Sequence, residues 1–194
     1  EKKPNSLAIN FKEDKSNIFI KNLEIASHVV NDIFNDSNFP DLNGDLLINC
    51  LESFKMPPGR GEILSLNKFK IIDDSYNANP ESVKAALDHL SGFQECRKFF
   101  VFGDMKELGA NEEILHKKVG QYAVGKTDIL LTVGKLAKNA QSNSNNFALS
   151  LHFNDNFSLL EKLNELLTDG DIVLIKGSRS MQLDQLINEL KNVK

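Results

Sequence analysis

Tryptophan is absent from the 194 residues, and tyrosine and cysteine occur twice each. The missing tryptophan biases surface and core choices but assigns no function. Cys50 and Cys96 stand alone, without the paired spacing of a metal-ligand set, so a zinc-held or disulfide-held fold is excluded as the organising device. Both are expected as free, buried thiols in a reducing cytosol. No apolar run approaches the length of a membrane span. The N-terminal stretch has no charged-then-apolar leader pattern, and no basic block occurs anywhere. With 23 Lys and Arg against 27 Asp and Glu, the formal net charge of -4 lacks the footprint of a nucleic-acid surface. A cytoplasmic, monomeric protein without nucleic-acid or membrane partners is expected. What is present is ordinary globular composition, 41% apolar and 26% charged, enough for a real core in one large or two small domains.

The chain changes character along its length. Leu7–Phe11 and Ile18–Ile20 alternate with period two around a charged turn and predict a hairpin. His28–Phe34 and Leu42–Phe54 show helical spacing, with a polar loop at Asn35–Asp41. This first third contains no complete βαβ unit and looks like part of a domain. From Phe69 a regular alternation begins. Strands are expected at Phe69–Asp73, Lys98–Phe102, Asp128–Val133, Ala148–His152 and Asp171–Lys176. Helices are expected at Glu81–Leu90, Glu112–Ala123, Leu136–Gln141, Phe157–Leu167 and Met181–Leu190, and a Ser/Asn-rich loop at Asn139–Asn146. Near-continuous apolar strands separated by helices predict an α/β fold, a Rossmann-like, mainly parallel sheet with helices on both faces. The expected domains are residues 1–67 and 68–194.

The densest chemistry lies at the end of the first of those strands, in Asp73-Asp74-Ser75-Tyr76-Asn77-Ala78-Asn79-Pro80. The crevice beyond the carboxyl end of a strand is where open α/β sheets bind ligands. Part of the run is local chemistry. Asn79, Pro80 and Glu81 supply an N-cap amide, a proline at the first helical position and an acid at the positive end of the dipole. Two adjacent aspartates with Tyr76 and Asn77 are not explained that way and predict a site.

A second pattern is a decoy. Gly120-Gln-Tyr-Ala-Val-Gly125-Lys126-Thr127 has the spelling of a phosphate-binding loop. That chemistry needs a strand before the loop and a helix after it, so that backbone N–H groups surround the phosphates. Here a helical pattern runs into the match and the buried strand Ile129–Val133 follows. Gly125 therefore reads as a helix-terminating glycine and Lys126 as a cation of the last turn.

The octapeptide closely resembles a signature of the Mur ligases, in the branch that adds D-alanyl-D-alanine to UDP-N-acetylmuramoyl-tripeptide. Other motifs agree in order and spacing: Pro58-Gly59-Arg60-Gly61-Glu62, Gly103-Asp104-Met105-Lys106-Glu107-Leu108-Gly109, His116 with Val119-Gly120, Leu131-Thr132-Val133-Gly134, and Lys176-Gly177-Ser178-Arg179-Ser180. The resemblance implies an ATP-dependent amide ligase acting through an acyl phosphate in peptidoglycan precursor synthesis. It implies ATP and Mg²⁺ as cofactors, UDP-N-acetylmuramoyl-tripeptide and D-alanyl-D-alanine as partners, and bacterial cytoplasm as location.

Domain by domain, it makes residues 1–67 the end of a central ATPase domain and residues 68–194 a C-terminal Rossmann-like domain. The family's Gly-Thr-x-Gly-Lys-Thr loop does not occur in these residues. Nor does the UDP-binding domain, so the chain alone is expected to be inactive. Residue by residue, Arg60 matches an arginine that reaches the ATP phosphates, and Asp74 an aspartate that contacts the ribose. Tyr76 and Asn77 are nucleotide or substrate contacts, and Asn31 approaches the adenine. Val29 breaks the Asn31 motif, and His28 reads equally as a structural histidine. Asp104, Lys176, Ser178 and Arg179 face the substrates, with Arg60 and Lys176 the catalytic candidates and no metal ligand assigned. Ser180 also reads as a helix N-cap. A related superfamily ligase of the folylpolyglutamate synthase type, or a non-catalytic Rossmann-like binding module, stands as the alternative.

Overall fold

The computed structural model describes residues 22, 25–30 and 56–192. The chain divides into two compact units, Glu1–Lys55 and Met56–Lys194. In the first, residues 22 and 25–30 are helical, with Ser27 buried and His28 exposed. Asn31, Cys50, the hairpin expected near residues 7–20 and the helix expected at 42–54 lie outside the described residues.

The second unit is built on a six-stranded sheet. Strands β1 (Glu62–Ser65), β2 (Lys70–Asp74), β3 (Lys98–Gly103), β4 (Ile129–Val133), β5 (Leu149–Phe153) and β6 (Ile172–Lys176) stand in the order β1-β2-β6-β3-β4-β5. All neighbours are parallel except β1, which pairs antiparallel with β2 at the edge. Helices α1 (Pro80–Ser91), α2 (Glu112–Ala123), α3 (Asn156–Leu166) and α4 (Leu183–Asn192) cover it. Strands buried on both faces must be apolar at every position, which is why Phe99–Phe102 and Ile172–Ile175 run without a polar residue. The pleat sorts them by period two. Ile72, Phe100, Phe102, Leu130 and Leu174 join Val83, Leu87 and Leu90 of α1 and Val119 of α2 in one core. Ile71, Phe99, Val101, Leu131 and Val173 join Leu159 and Leu163 of α3 and Leu183, Leu186 and Ile187 of α4 in the other.

This topology creates the crevice. From β2 the chain passes over the place β6 will fill, reaches β3, and moves outward to β4 and β5 with its coverings in the first core. It then returns through α3, in the second core, to insert β6 between β2 and β3. Right-handed crossovers place outward and returning connections on opposite faces. The chain therefore leaves the carboxyl ends of β2 and β6 toward different sides, and a gap opens between them.

The α/β expectation holds, with strand and helix limits shifted by one or two residues. β1 was not foreseen; its four residues, with only one paired edge, leave too short a pattern. Because β1 pairs with β2, residues 56–67 are built into the second compact unit, whereas the domain expectation placed its division at 67/68. The helix expected at 136–141 and the loop expected at 139–146 are one 3₁₀ segment, Ala137–Asn146, kinked at Asn143. Ser180 is not an N-cap: it lies inside the short turn Arg179–Met181, and α4 begins only at Leu183.

The decoy loop is packing chemistry. Gly125 (φ 75°) follows the end of α2, and Lys126 forms an ion pair with Asp88 at 2.7 Å. Gly120 lets α2 approach the 3₁₀ segment so closely that an added Cβ would lie 2.0 Å from the Ala140 carbonyl oxygen. Gly120→Ala therefore has to push backbone from backbone. We expect it to destabilise the protein by about 3 kcal/mol, at the upper end of overpacking costs, read as a lower midpoint in urea denaturation.

Candidate functional site

The cleft at the carboxyl ends of β2 and β6 has a volume of about 380 Å³ and is lined by Gly59, Arg60, Asp74, Tyr76, Asn77 and Lys176 among others. Its base is an ion pair. Asp74 and Lys176 are register partners on adjacent parallel strands, so their side chains emerge on the same side of the sheet. Lys176 Nζ lies 2.6 Å from Asp74 Oδ2 and donates to the Asn77 carbonyl at 2.9 Å, while the lysine itself is 1% exposed. Burial holds the Asp74 carboxyl above the ordinary carboxylate value, and the Lys176 ammonium pulls it back down. Asp74 Oδ1 keeps no partner among the described residues.

The octapeptide folds around that base in two parts. Asp73 Oδ1 accepts from Ser75 N–H at 3.2 Å and Ser75 Oγ–H at 2.6 Å, which turns the chain out of β2. Asn79 Oδ1 accepts from Ser82 N–H at 2.8 Å and Ser82 Oγ accepts from Asn79 N–H at 3.1 Å, a reciprocal cap at the start of α1. Between them Tyr76 and Asn77 face the cleft. The Arg60 guanidinium lies over the Tyr76 ring, 4.0 Å from its centroid, and no ion pair holds it among the described residues. Gly59 (φ 78°) makes this possible: Tyr76 N–H donates to its carbonyl at 2.9 Å, and a Cβ there would sit 3.1 Å from that nitrogen.

The remaining candidates lie along the same edge with different duties. Asp104, 2% exposed, accepts from Leu136 N–H (2.9 Å) and Ala137 N–H (2.8 Å) on Oδ1 and pairs with Lys106 on Oδ2 at 2.9 Å. Its carboxylate thus stitches the loop after β3 to the loop after β4. Gly134 (φ 105°) follows from this, since a Cβ would meet Asp104 Oδ1 at 2.5 Å. Ser178 is buried, and its Oγ accepts from Lys106 N–H at 2.8 Å. Arg179, with a side chain 65% exposed, reaches Asp184 at 3.1 Å. The structure places these residues along one edge of the sheet, and the bonds of Asp104 to the loop after β4 and of Ser178 to Lys106 join segments remote in the chain, which no local pattern reveals.

His116 is fully buried beneath the loop after β3. Its Nε2 accepts from Met105 N–H at 2.8 Å, so the proton sits on Nδ1 and is donated to the Glu112 carbonyl at 2.6 Å. Burial pushes the imidazole below its usual value, against the opposing pull of that carbonyl. No group of three or more His, Cys, Asp or Glu side chains able to hold a metal occurs among the described residues.

A family profile described as Mur ligase, glutamate ligase domain, matches residues 59–179, the span from the Arg60 turn through the cleft to Arg179. The chain belongs to the Mur ligase family. Among curated relatives, the UDP-N-acetylmuramoyl-tripeptide–D-alanyl-D-alanine ligase of Bacillus subtilis is 35% identical over 149 residues, 72% of this chain and 32% of the relative. The Escherichia coli protein of that name is 34% identical over 145 residues, 73% of this chain and 31% of its own. This Mur ligase chain thus spans roughly a third of the length of the curated relatives it matches. The MurF ligase of Thermotoga maritima, solved in complex with ADP, superimposes with a TM-score of 0.71 at 25% identity, covering 87% of this chain and 37% of that one. A folylpolyglutamate synthase/dihydrofolate synthase of Yersinia pestis shares the fold, with a TM-score of 0.60, 15% identity, and coverage of 86% of this chain and 38% of that one.

Two outcomes follow from the geometry. Lys176→Met leaves the Asp74 carboxylate facing a lost partner, and we expect roughly 3 kcal/mol of destabilisation in chemical denaturation. For His116 the folded value lies below the unfolded one of about 6.5, so below that pH the unfolded chain takes up the proton first. Its contribution is present above about pH 6.5 and is lost as pH falls. His89 and His152, also lowered by burial, act in the same direction. The urea midpoint should fall between about pH 7.5 and 5.5, and His116→Gln should flatten part of that slope.

Proposed function

We propose that this chain forms the C-terminal portion of an ATP-dependent amide ligase that joins D-alanyl-D-alanine to UDP-N-acetylmuramoyl-tripeptide in peptidoglycan precursor synthesis. In this reading, the unit that begins at Met56 is the C-terminal domain and the residues before it are the end of a central ATP-binding domain. The observation that carries it is the cleft between β2 and β6. It offers a guanidinium and a carboxylate oxygen, both unpaired among the described residues, and an aromatic ring within one concavity, in the segment matched to the family.

That donor set fits a nucleoside polyphosphate. The Arg60 fork suits phosphate oxygens, to which it donates two parallel hydrogen bonds. Asp74 Oδ1 suits a pair of ribose hydroxyls, each donating to it. Tyr76 and Asn77 border the same space, with the Asn77 side-chain oxygen already accepting from Ala78 N–H at 2.8 Å and its amide nitrogen left to donate. The reaction transfers the terminal phosphoryl group to the tripeptide carboxylate with release of ADP. The amine nitrogen then bonds to the carbonyl carbon as phosphate departs and the amine gives up a proton. Mg²⁺, which would neutralise charge on the phosphates, is assigned no ligand among the described residues.

Lys176 enters this scheme by position. Its ammonium is consumed by Asp74 and the Asn77 carbonyl, so it sets the shape of the nucleotide wall and does not reach the reacting atoms. Asp104 acts through the loops it ties. Ser178 retains its hydroxyl proton for donation, and Arg179 stands exposed for a substrate carboxylate or phosphate. The Gly-Thr-x-Gly-Lys-Thr loop is not among these residues, and the isolated chain is expected to turn nothing over.

The test uses the intact protein carrying this chain. Arg60→Ala and Asp74→Ala should each lower kcat/KM for ATP-dependent ligation by about 10- to 100-fold, the loss of a charged hydrogen bond, with an unchanged circular dichroism spectrum. Lys126→Ala, on the decoy loop at the opposite end of the sheet, should match wild type. Wild-type turnover in both cleft variants would overturn the assignment.

A further inference from the structure

Among the described residues, three other than glycine hold a left-handed backbone: Glu95 (φ 57°), Glu107 (φ 64°) and Gln182 (φ 52°). Glu95 turns the chain before β3, at the amino edge of the sheet. Gln182 closes a short turn, its N–H donating to the Arg179 carbonyl at 3.1 Å. Glu107 stands on the carboxyl edge and is exposed, and its carboxylate has neither hydrogen bond nor ion pair among the described residues. A residue with a Cβ is strained in this conformation. The same loop places a glycine at φ 64° two residues later, at Gly109. The turn alone therefore calls for glycine or asparagine and leaves the glutamate unexplained.

The segment that carries Glu107 is fixed on several sides. Met105 N–H donates to His116, Lys106 N–H donates to Ser178 Oγ, Ser178 N–H donates to the Asp104 carbonyl at 2.9 Å, and Lys106 Nζ pairs with Asp104. Leu108 packs against the first core. Lys106 and Ser178 are thus directly bonded, and Glu107 and Arg179 are the next residue after each. The Arg179 guanidinium pairs with Asp184 and not with Glu107. Two tied loops therefore present an exposed carboxylate and an exposed guanidinium that do not neutralise each other. Such a pair suits a ligand carrying both charges.

We infer that Glu107 binds a substrate ammonium group at the carboxyl edge, beside an Arg179 that takes a carboxylate. The inference rests on the ligase reading above, in which two ammonium groups are available: that of the incoming dipeptide, and the side chain of the diamino acid in the tripeptide. The dipeptide is a zwitterion, and Glu107 and Arg179 offer one opposite charge for each of its ends. The tied backbone presents the carboxylate to the ammonium, which gives a proton to solvent before the freed amine attacks.

The experiment compares wild type, Glu107→Gln and Glu107→Gly in the intact protein. Calorimetry follows binding of D-alanyl-D-alanine and of its N-acetyl derivative, and steady-state kinetics give KM for each substrate. Wild type should prefer the free amine. Both variants should weaken dipeptide binding and raise its KM by about tenfold or more, the loss of a charged hydrogen bond, with the KM for ATP unchanged. The glycine variant should melt at or above the wild-type temperature, because the strain is relieved. A rise in KM for the tripeptide nucleotide alone would keep the ammonium site and assign it to the diamino acid. Unchanged binding and KM for both substrates, or an equal rise for ATP with a lowered melting temperature, would overturn the inference. A wild type that recognises the dipeptide amine yet ligates nothing counts against the ligase reading only. A wild type that ligates without any effect at Glu107 counts against this inference only.

Discussion

The buried ammonium of Lys176 is the constraint on which the carboxyl edge depends. It arrives on the last strand of the chain, in the middle of the sheet, and meets a carboxylate 102 residues earlier in sequence. The meeting holds only in one register. A slip of one residue along β6 would turn Lys176 to the opposite face and present Ile175 to Asp74. The apolar alternation of β6 forbids that slip, since both faces of Ile172–Ile175 are already fitted into separate cores. Packing fixes the register, the register makes the ion pair, and the ion pair sets the distance between β2 and the chain leaving it. An ion pair this deep need not add net stability compared with apolar residues, because desolvating both charges offsets their attraction. What it supplies here is shape: one Asp74 oxygen is held and the other is left facing the cleft.

The two ends of the sheet treat charge differently. At the amino edge, Arg97 grips Asp171 at 2.9 and 2.7 Å while also donating to the Leu166 carbonyl, and Lys126 closes on Asp88, to which Tyr122 also donates. Those side chains are bound to one another and serve the fold. At the carboxyl edge, the pairs of Lys176 with Asp74 and Lys106 with Asp104 hold loops in place, while Arg179 reaches Asp184 from an exposed position. Among the described residues Arg60 and Glu107 remain without ionic partners, on segments fixed by backbone hydrogen bonds and these pairs. Unpaired charge on an immobilised backbone leaves only side-chain freedom to be lost when a ligand arrives. The asymmetry also disposes of the decoy loop, whose Lys126 is engaged by Asp88.

What was legible in the sequence was what is decided locally. The reciprocal cap of Asn79 and Ser82 lies within four residues, and the alternation of Phe99–Phe102 follows from burial on both sides, so the parallel sheet and the start of α1 could be read directly. The octapeptide marked the cleft because its polar density exceeds what capping needs. The duties of Asp104 and Lys176 were not legible. Asp104 satisfies amides 32 and 33 residues away, and nothing in Gly-Asp-Met indicates that its carboxylate is occupied. The closeness of Gly120 to Ala140, which decides how α2 seats, is equally invisible until the 3₁₀ segment is in place. Glu107 stood in a quoted motif but received no role, for the opposite reason. Among the described residues its carboxylate makes no hydrogen bond or ion pair, and its backbone angle sets it apart.

Arg60 illustrates how a mobile-looking residue becomes part of a rigid wall. The Pro-Gly-Arg-Gly run reads as a hinge, and an arginine there could follow either side of it. Gly61 N–H donates to the Asp73 carbonyl at 2.7 Å, Tyr76 N–H donates to Gly59, and the guanidinium rests on the Tyr76 ring. These three contacts bind the turn to the octapeptide on both sides of Arg60. The guanidinium and the Asp74 carboxylate are therefore carried by one body, with their spacing set by β1 pairing with β2. A ligand gripped at two such points is oriented by a single element whose internal geometry does not change as that element moves. Positioning of this kind, with the cost of ordering met during folding, is how a binding wall contributes to transfer between two substrates without supplying a reacting atom.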